Sequence, residues 1–173
     1  MLHLRFGLFR DYSHNSSSEV VKALASTGIP GTRLITQEVP VEYGHVSTVV
    51  PELWQKYKPD GLCCGCSPED ERLSTCFDLV ALTEQLKEAG CPVPVETSSD
   101  AGRFLCEFIY FTSLRISPWT VFVHVPPIGE PYCVGQLAST VGKIVQQLLE
   151  QKKNMAKSVP DSARRVQSLE ASA

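Results

Sequence analysis

A cysteine and a histidine lie in sequence contexts that suit nucleophilic catalysis. Cys106 lies in the apolar run 104–111, which follows the polar residues Ser98-Ser99-Asp100. Side-chain oxygens of residues 98–100 are of the type that accepts the free amide protons at a helix start, so they predict a helix cap about two turns before Cys106. His124 lies near the carboxyl end of an apolar run, 121–125, that predicts a strand. A thiol near a helix start and an imidazole at a strand end are the two components of a Cys/His nucleophilic pair.

Both residues also have a structural interpretation. A cysteine on an apolar helix is usually a small core residue, and a histidine at the end of an apolar strand usually has its hydrogen bonds satisfied by the fold. The two interpretations differ in reactivity. If Cys106 is a poised nucleophile, it should alkylate faster near neutral pH than the other six cysteines of the chain.

A second group of cysteines offers different chemistry. Cys63-Cys64-Gly65-Cys66 contains a Cys-x-x-Cys motif just before a predicted helix, which is compatible with a redox or metal site. A structural zinc site usually has a second Cys-x-x-Cys or a paired histidine motif, and the sequence contains neither. We therefore expect no metal and no cofactor, and keep the zinc or redox protein as a weaker alternative.

Composition excludes several classes of protein. The chain has 173 residues, 43% of them hydrophobic, which is enough for one globular domain with a sizeable core. A net charge of −3 argues against nucleic acid or an acidic membrane surface as a partner. No apolar run of about 18 residues predicts a membrane span, and residues 1–10 do not resemble a signal peptide. Seven cysteines, an odd number, without an export signal favour reduced thiols and a cytoplasmic location.

Strand and helix patterns alternate along the chain. This alternation predicts an α/β fold, with a mostly parallel sheet between helices, in a single domain over residues 1–150. Residues 151–173 are polar without a period, so we expect a disordered tail. Residues 2–9 predict a short strand and the turn after it, and the other predicted strands are 33–41, 91–97 and 121–127. The predicted helices begin near residues 16, 46, 67, 101 and 134.

Five segments, taken together, resemble one family. Residues 98–108 (Ser-Ser-Asp-Ala-Gly-Arg-Phe-Leu-Cys-Glu-Phe) and 122–129 (Phe-Val-His-Val-Pro-Pro-Ile-Gly) resemble the active-site region of the pyroglutamyl peptidases, which are cytosolic cysteine peptidases. Residues 6–9, 39–43 and 53–56 agree in the same order. The resemblance implies an omega peptidase that removes N-terminal pyroglutamate from peptides. It implies Cys106 as nucleophile, His124 as base, Phe6 and Phe9 as contacts of the pyroglutamyl ring, and amides near Gly102 as candidate oxyanion donors.

The chain also departs from the family pattern. Family members carry a central strand, a loop and a glutamate that orients the histidine, whereas only residues 60–67 separate Pro59 from Pro68 here. Arg5 and Leu8 also alter the opening motif. We therefore expect one strand and the catalytic acid to be missing, apolar helix faces to be left uncovered, and activity to be weak or lost. The alternative is a relative that keeps the fold and binds peptides without cleaving them.

Overall fold

The computed structural model describes residues 2–6, 15–57 and 73–158, and it contains a parallel βαβ unit followed by four helices. The two strands pair in parallel, with Leu2 opposite Ile35 and Phe6 opposite Val39. The connection between parallel strands needs a crossover, which the first helix supplies. The elements are β1 (Leu2–Phe6), α1 (Ser16–Thr27), β2 (Ile35–Val39), α2 (Tyr43–Tyr57), α3 (Leu79–Glu88), α4 (Leu105–Ile116) and α5 (Val134–Ser158).

The helices pack mainly as two pairs. α1 lies against α5, where Val20, Leu24, Val141 and Val145 belong to one buried cluster. α2 lies against α4 in a second buried cluster, which comprises Val39, Val46, Val50, Leu105 and Ile109 and so joins this pair to β2. α3 packs on α5 through a third cluster. Parallel strands combined with packed helices confirm the predicted α/β class in a reduced form.

Two predicted strands are not strands in the structure. Residues 91–97 and 121–127 contain no ladder hydrogen bonds, and the sheet of the described residues has only β1 and β2. A strand exists only where a neighbour accepts and donates its backbone hydrogen bonds, and no described segment does so for 121–127. Two of its side chains are partly buried instead: Val121 packs on the α3–α5 cluster, as does the preceding Trp119, and Phe122 packs on the α2–α4 cluster. Val123 and His124 are exposed.

A cavity of about 210 Å³ lies between the two helix pairs. Its lining is mostly apolar and comes from α1, α2, α4, α5, the segment 119–125 and Phe77, which precedes α3. The aromatic residues on its wall are Trp54, Phe77, Tyr110, Trp119 and Phe122. Among the described residues these helix faces therefore border a cavity, and lining side chains such as Val20, Ile144 and Leu148 are nevertheless buried. The expectation that a missing strand leaves apolar faces uncovered concerns residues outside the described ranges and stays a prediction.

The helix boundaries differ from the sequence prediction at two further places. α3 begins at Leu79 rather than near residue 67, because Asp78 caps it by accepting the Ala81 N–H at 2.9 Å. α5 continues to Ser158, so residues 151–158 are helical and the disordered tail predicted from Gln151 is wrong over that range. Gln151 holds this end of α5 in place, because its side chain accepts the Asp78 N–H at 3.1 Å and donates to the Asp78 carbonyl at 2.9 Å.

Candidate active site

Cys106 lies in the first turn of α4. The helix begins at Leu105 and its N-cap residue, Phe104, makes no side-chain capping bond. The predicted cap at residues 98–100 is therefore wrong, and Cys106 is the second residue of the helix rather than two turns from its start. In the first turn the unpaired amides and the helix dipole favour an anion. This position therefore stabilises a thiolate more than the predicted position, two turns into the helix, would.

Residues 98–102 form a turn, and α4 begins only after it, at Leu105. The Asp100 side chain accepts the Gly102 N–H at 2.8 Å, and the Ser98 hydroxyl accepts the Asp100 N–H at 3.1 Å. Gly102 adopts φ +83°, a left-handed conformation that a right-handed helix cannot include. Asp100 therefore caps a turn and not a helix, and the Gly102 amide, which we proposed as an oxyanion donor, already donates to Asp100.

Burial opposes ionisation of the Cys106 thiol. The side chain is half-buried, and desolvation raises its pKa above the ordinary value, while a hydrogen bond to its own backbone N–H lowers the pKa by a smaller amount. At neutral pH the resting residue is therefore a thiol. This direction contradicts the expectation that Cys106 alkylates first among the cysteines.

His124 is exposed and its ring is held in one orientation. The Nε2 atom lies 3.2 Å from the Ala101 carbonyl oxygen, and the ring edge contacts the Phe122 ring at a centroid distance of 4.8 Å. A carbonyl oxygen can only accept, so this bond requires the proton to reside on Nε2. In the neutral imidazole the free lone pair is then on Nδ1, which makes Nδ1 the atom that can accept a proton.

One hydrogen bond links the imidazole of His124 to the loop that precedes the helix of Cys106. Ala101 lies five residues before Cys106, so its bond to His124 ties segment 117–133 to the loop that leads into α4. Among the described residues no hydrogen bond joins the Cys106 thiol to the His124 ring. Catalytic hydrogen bonds are often loose in enzymes without substrate. The structure therefore links the His124 ring to the loop before α4, without a hydrogen bond between that ring and the Cys106 thiol.

The remaining predicted residues are placed only in part. The Phe6 backbone ends β1 opposite Val39, and Phe9 lies outside the described residues. The Cys63-x-x-Cys66 motif and the acidic residues 69–71 also lie outside them. In the described ranges no group of three or more His, Cys, Asp or Glu side chains is arranged to hold a metal, and no helix is long and apolar enough to cross a membrane.

The Ala101 carbonyl is a feature of the site that sequence reasoning missed. No sequence pattern identifies a main-chain acceptor for a histidine 23 residues away. The local signal is Asp100-Ala101-Gly102, because an aspartate two residues before a glycine favours an Asx-type turn with a left-handed glycine. Such a turn predicts that the Ala101 carbonyl has a fixed orientation, but it does not predict which side chain will donate a hydrogen bond to it.

Known proteins resemble this chain in sequence and in fold. No protein-family model matches it. Pyroglutamyl-peptidase 1 of Homo sapiens is 32% identical over 182 residues, covering 84% of this chain and 87% of that protein. Pyroglutamyl-peptidase 1 of Rattus norvegicus is 32% identical over 181 residues, covering 83% and 87%. The solved structure of pyrrolidone carboxyl peptidase from Thermococcus litoralis superposes with a TM-score of 0.69 at 18% identity, covering 88% of this chain and 94% of that one.

The alignment with the human relative also reveals a length difference. 84% of 173 residues is about 145, so about 37 of the 182 aligned positions have no counterpart in this chain. A deficit of that size agrees with the loss of a strand and the loop that follows it. Identity of 32% over most of both chains is nevertheless decisive for the family. The chain belongs to the pyroglutamyl peptidase family.

Proposed function

We propose that this family member is a cysteine peptidase that removes pyroglutamate from the N-terminus of peptides in the cytoplasm, at a rate well below that of an intact relative. The observation that carries the proposal is the position of Cys106 in the first turn of α4, beside a loop bonded to His124. The helix N-terminus stabilises the anion that attack requires, and the imidazole is held with its basic nitrogen free. Phe6 and Phe9 are the proposed contacts of the pyroglutamyl ring.

The tautomer of His124 determines which ring nitrogen takes part in proton transfer. Nδ1 accepts the thiol proton of Cys106, and the sulfur forms a bond to the pyroglutamyl carbonyl carbon. The tetrahedral intermediate collapses when Nδ1 returns the proton to the leaving amine, which gives a thioester and a shortened peptide. Water then attacks the thioester with Nδ1 as base, and pyroglutamate and the free thiol are released. Nε2 keeps its proton and its bond to Ala101 throughout.

Two features limit the rate. The raised pKa of Cys106 keeps the thiolate fraction small at neutral pH, because burial disfavours the anion. Among the described residues the partner of the histidine ring is a neutral carbonyl oxygen and not a carboxylate, and such a partner stabilises the imidazolium that forms during reaction less. Both effects slow the chemical step rather than binding of the peptide.

Turnover of a chromogenic pyroglutamyl amide by the full 173-residue chain tests the proposal. We expect slow hydrolysis, far below about 10 per second, the median for enzymes. Cys106→Ala should lower the rate by about 1000-fold or more, the scale of a lost nucleophile. Cys133→Ala is the matched control, because Cys133 is an exposed free cysteine outside the site and its loss should leave the rate unchanged. Equal turnover by Cys106→Ala and the parent chain would overturn the assignment.

A non-catalytic binding protein is the second candidate function. The protonated thiol of Cys106 and the absence of a thiol–imidazole bond favour it. The same preparation separates the two functions: a pyroglutamyl peptide that binds in calorimetry, without any Cys106-dependent turnover, supports the binding protein. A zinc or redox role for Cys63 and Cys66 remains an alternative, and elemental analysis with Cys63→Ser and Cys66→Ser tests it.

A further inference from the structure

We propose that Asp100 is a positioning residue for His124 and acts through the peptide group that joins Ala101 to Gly102. This inference rests on the proposed function for its effect on rate, and on geometry alone for its effect on the imidazole. Asp100 lies 33 residues after Ser67, the end of the interval from which the family glutamate segment is missing, so it does not stand at the position of the family acid. Among the described residues it is the carboxylate that bonds to the peptide group receiving His124.

The connection consists of two hydrogen bonds on one planar group. The N–H of the Ala101–Gly102 peptide donates to Asp100 Oδ1 at 2.8 Å. The C=O of the same peptide accepts from His124 Nε2 at 3.2 Å. Because the N–H and the C=O belong to one rigid, resonance-stabilised unit, a carboxylate that fixes the N–H also fixes where the carbonyl points.

Electronic and geometric effects act in the same direction. A hydrogen bond to a charged acceptor polarises the peptide, and a polarised carbonyl oxygen is a stronger acceptor for the next donor. The Nε2–H is therefore held more firmly than by a carbonyl without such a partner. The consequence for catalysis is that in the neutral ring the lone pair resides on Nδ1 and keeps its direction, as when an acid orients a catalytic histidine.

Gly102 is the third component of this arrangement. Its φ of +83° sets the rotation of the peptide group relative to α4, and L-residues with side chains rarely adopt that value. A Cβ at this position would meet no heavy atom within 4 Å, so alanine there perturbs the backbone conformation without a clash. Gly102→Ala therefore changes the carbonyl direction while it leaves the Asp100 carboxylate in place.

The bonds of Asp100 itself agree with a fixed carboxylate. Its N–H donates to the Ser98 hydroxyl at 3.1 Å, and that hydroxyl donates to the Asp100 carbonyl at 3.0 Å. Hydrogen bonds within one turn thus fix both the backbone and the side chain of Asp100. The histidine ring is held from its other side by the edge contact with Phe122.

The test is a spectroscopic one on the full chain. Long-range ¹H–¹⁵N correlation spectra show which ring nitrogen of a neutral histidine carries the proton, and a His124→Gln variant assigns the signals among the four histidines. In the parent chain we expect His124 protonated at Nε2, with that proton exchanging slowly with solvent. Asp100→Ala and Gly102→Ala should each speed this exchange at least about tenfold, as expected for a lost hydrogen bond.

Asp100→Asn separates charge from geometry, because its amide oxygen can still accept the Gly102 N–H. We expect an exchange rate between those of the parent and Asp100→Ala. Glu96→Gln is the matched control: Glu96 is an exposed acid on the same loop, and its neutralisation should change neither the exchange rate nor the tautomer. Unchanged His124 signals in both Asp100→Ala and Gly102→Ala would overturn the inference.

Kinetics provides the second measurement. Asp100→Ala should lower kcat by about 10- to 100-fold, the range seen when an outer partner that orients a functional histidine is removed. KM should stay within about twofold, because the residue does not contact substrate. If the parent chain shows no turnover but the spectra respond as described, the proposed function fails and the positioning role stands. If turnover is present and Asp100→Ala matches the parent in both measurements, the positioning role fails alone.

Discussion

The ionisation of Cys106 gives the sharpest test of how this site works at rest. Burial raises the pKa of the thiol because the thiolate loses hydration, and the nearby backbone N–H offsets only part of that effect. An unperturbed thiol, with a pKa of about 8.5, is about 3% thiolate at pH 7. Since the pKa of Cys106 is raised, its thiolate fraction at pH 7 is below about 3%.

The pH dependence follows from the direction of the shift. Only the thiolate alkylates, and below the pKa its fraction rises about tenfold for each pH unit. We therefore expect the rate of Cys106 labelling to rise about 100-fold from pH 6 to pH 8 and to keep rising above about pH 8.5. A thiolate–imidazolium pair would behave differently, because its low thiol pKa makes the rate almost flat over the same range.

The assay is brief iodoacetamide labelling of the native chain, followed by mass spectrometry of each cysteine peptide. Labelling in denaturant provides the reference in which all seven cysteines are accessible. Exposed Cys133 should label at least about tenfold faster than half-buried Cys106 at pH 7. His124→Ala should leave the Cys106 rate unchanged, because no hydrogen bond joins the thiol to the ring.

Two results would refute this reasoning. Cys106 labelling faster than Cys133 at pH 7 would mean that the thiol is poised despite its burial. A flat rate from pH 6 to pH 8 that His124→Ala converts to a rising one would mean that an ion pair exists in the resting state. Either result would also raise the expected peptidase rate.

Two predictions concern stability, each measured as the urea midpoint at constant m-value. Thr140→Val should stabilise the fold by about 1 kcal/mol, because the buried Thr140 hydroxyl has no hydrogen-bond partner among the described residues. The control variant Thr140→Ser keeps the hydroxyl and loses the methyl group, so it should destabilise the fold by about the same amount. Gln151→Ala should destabilise by about 1 kcal/mol, because it removes both bonds to the Asp78 backbone, whereas exposed Gln146→Ala on the same helix should have no effect. A Thr140→Val variant less stable than the parent, or equal midpoints for Gln151→Ala and Gln146→Ala, would contradict these assignments.

The unpaired segment 121–127 shows what pattern reasoning misses. Its apolar run predicts a buried strand, but the burial is only partial: Val121 and Phe122 pack partly buried on two different clusters, and Val123 is exposed. Strand geometry also needs a backbone partner, and the presence of that partner depends on residues elsewhere in the chain. A local sequence window contains the hydrophobic signal but not the pairing.

Local signals determined much of this protein by themselves. Gly28 after an apolar-periodic segment predicts where α1 ends, and this is confirmed. The spacing of Val134, Leu137, Val141, Ile144 and Leu148 predicts one apolar face of α5; the last four are buried and Val134 is partly buried. These features depend on residues within a few positions of one another, so the sequence is sufficient. The same holds for the motifs around Cys106 and His124, which identify the family before any geometry is known.

Tertiary structure alone decided how the site is connected. The bond from His124 to Ala101 spans 23 residues, and the bonds between Gln151 and Asp78 span 73. The sequence offered Asp100 as a helix cap, whereas the fold uses it to fix a peptide that receives the histidine. The pKa of Cys106 is equally non-local, because it depends on what buries the thiol rather than on its neighbours in the chain. Contacts between distant segments form only when the whole chain packs, and a local pattern cannot encode them.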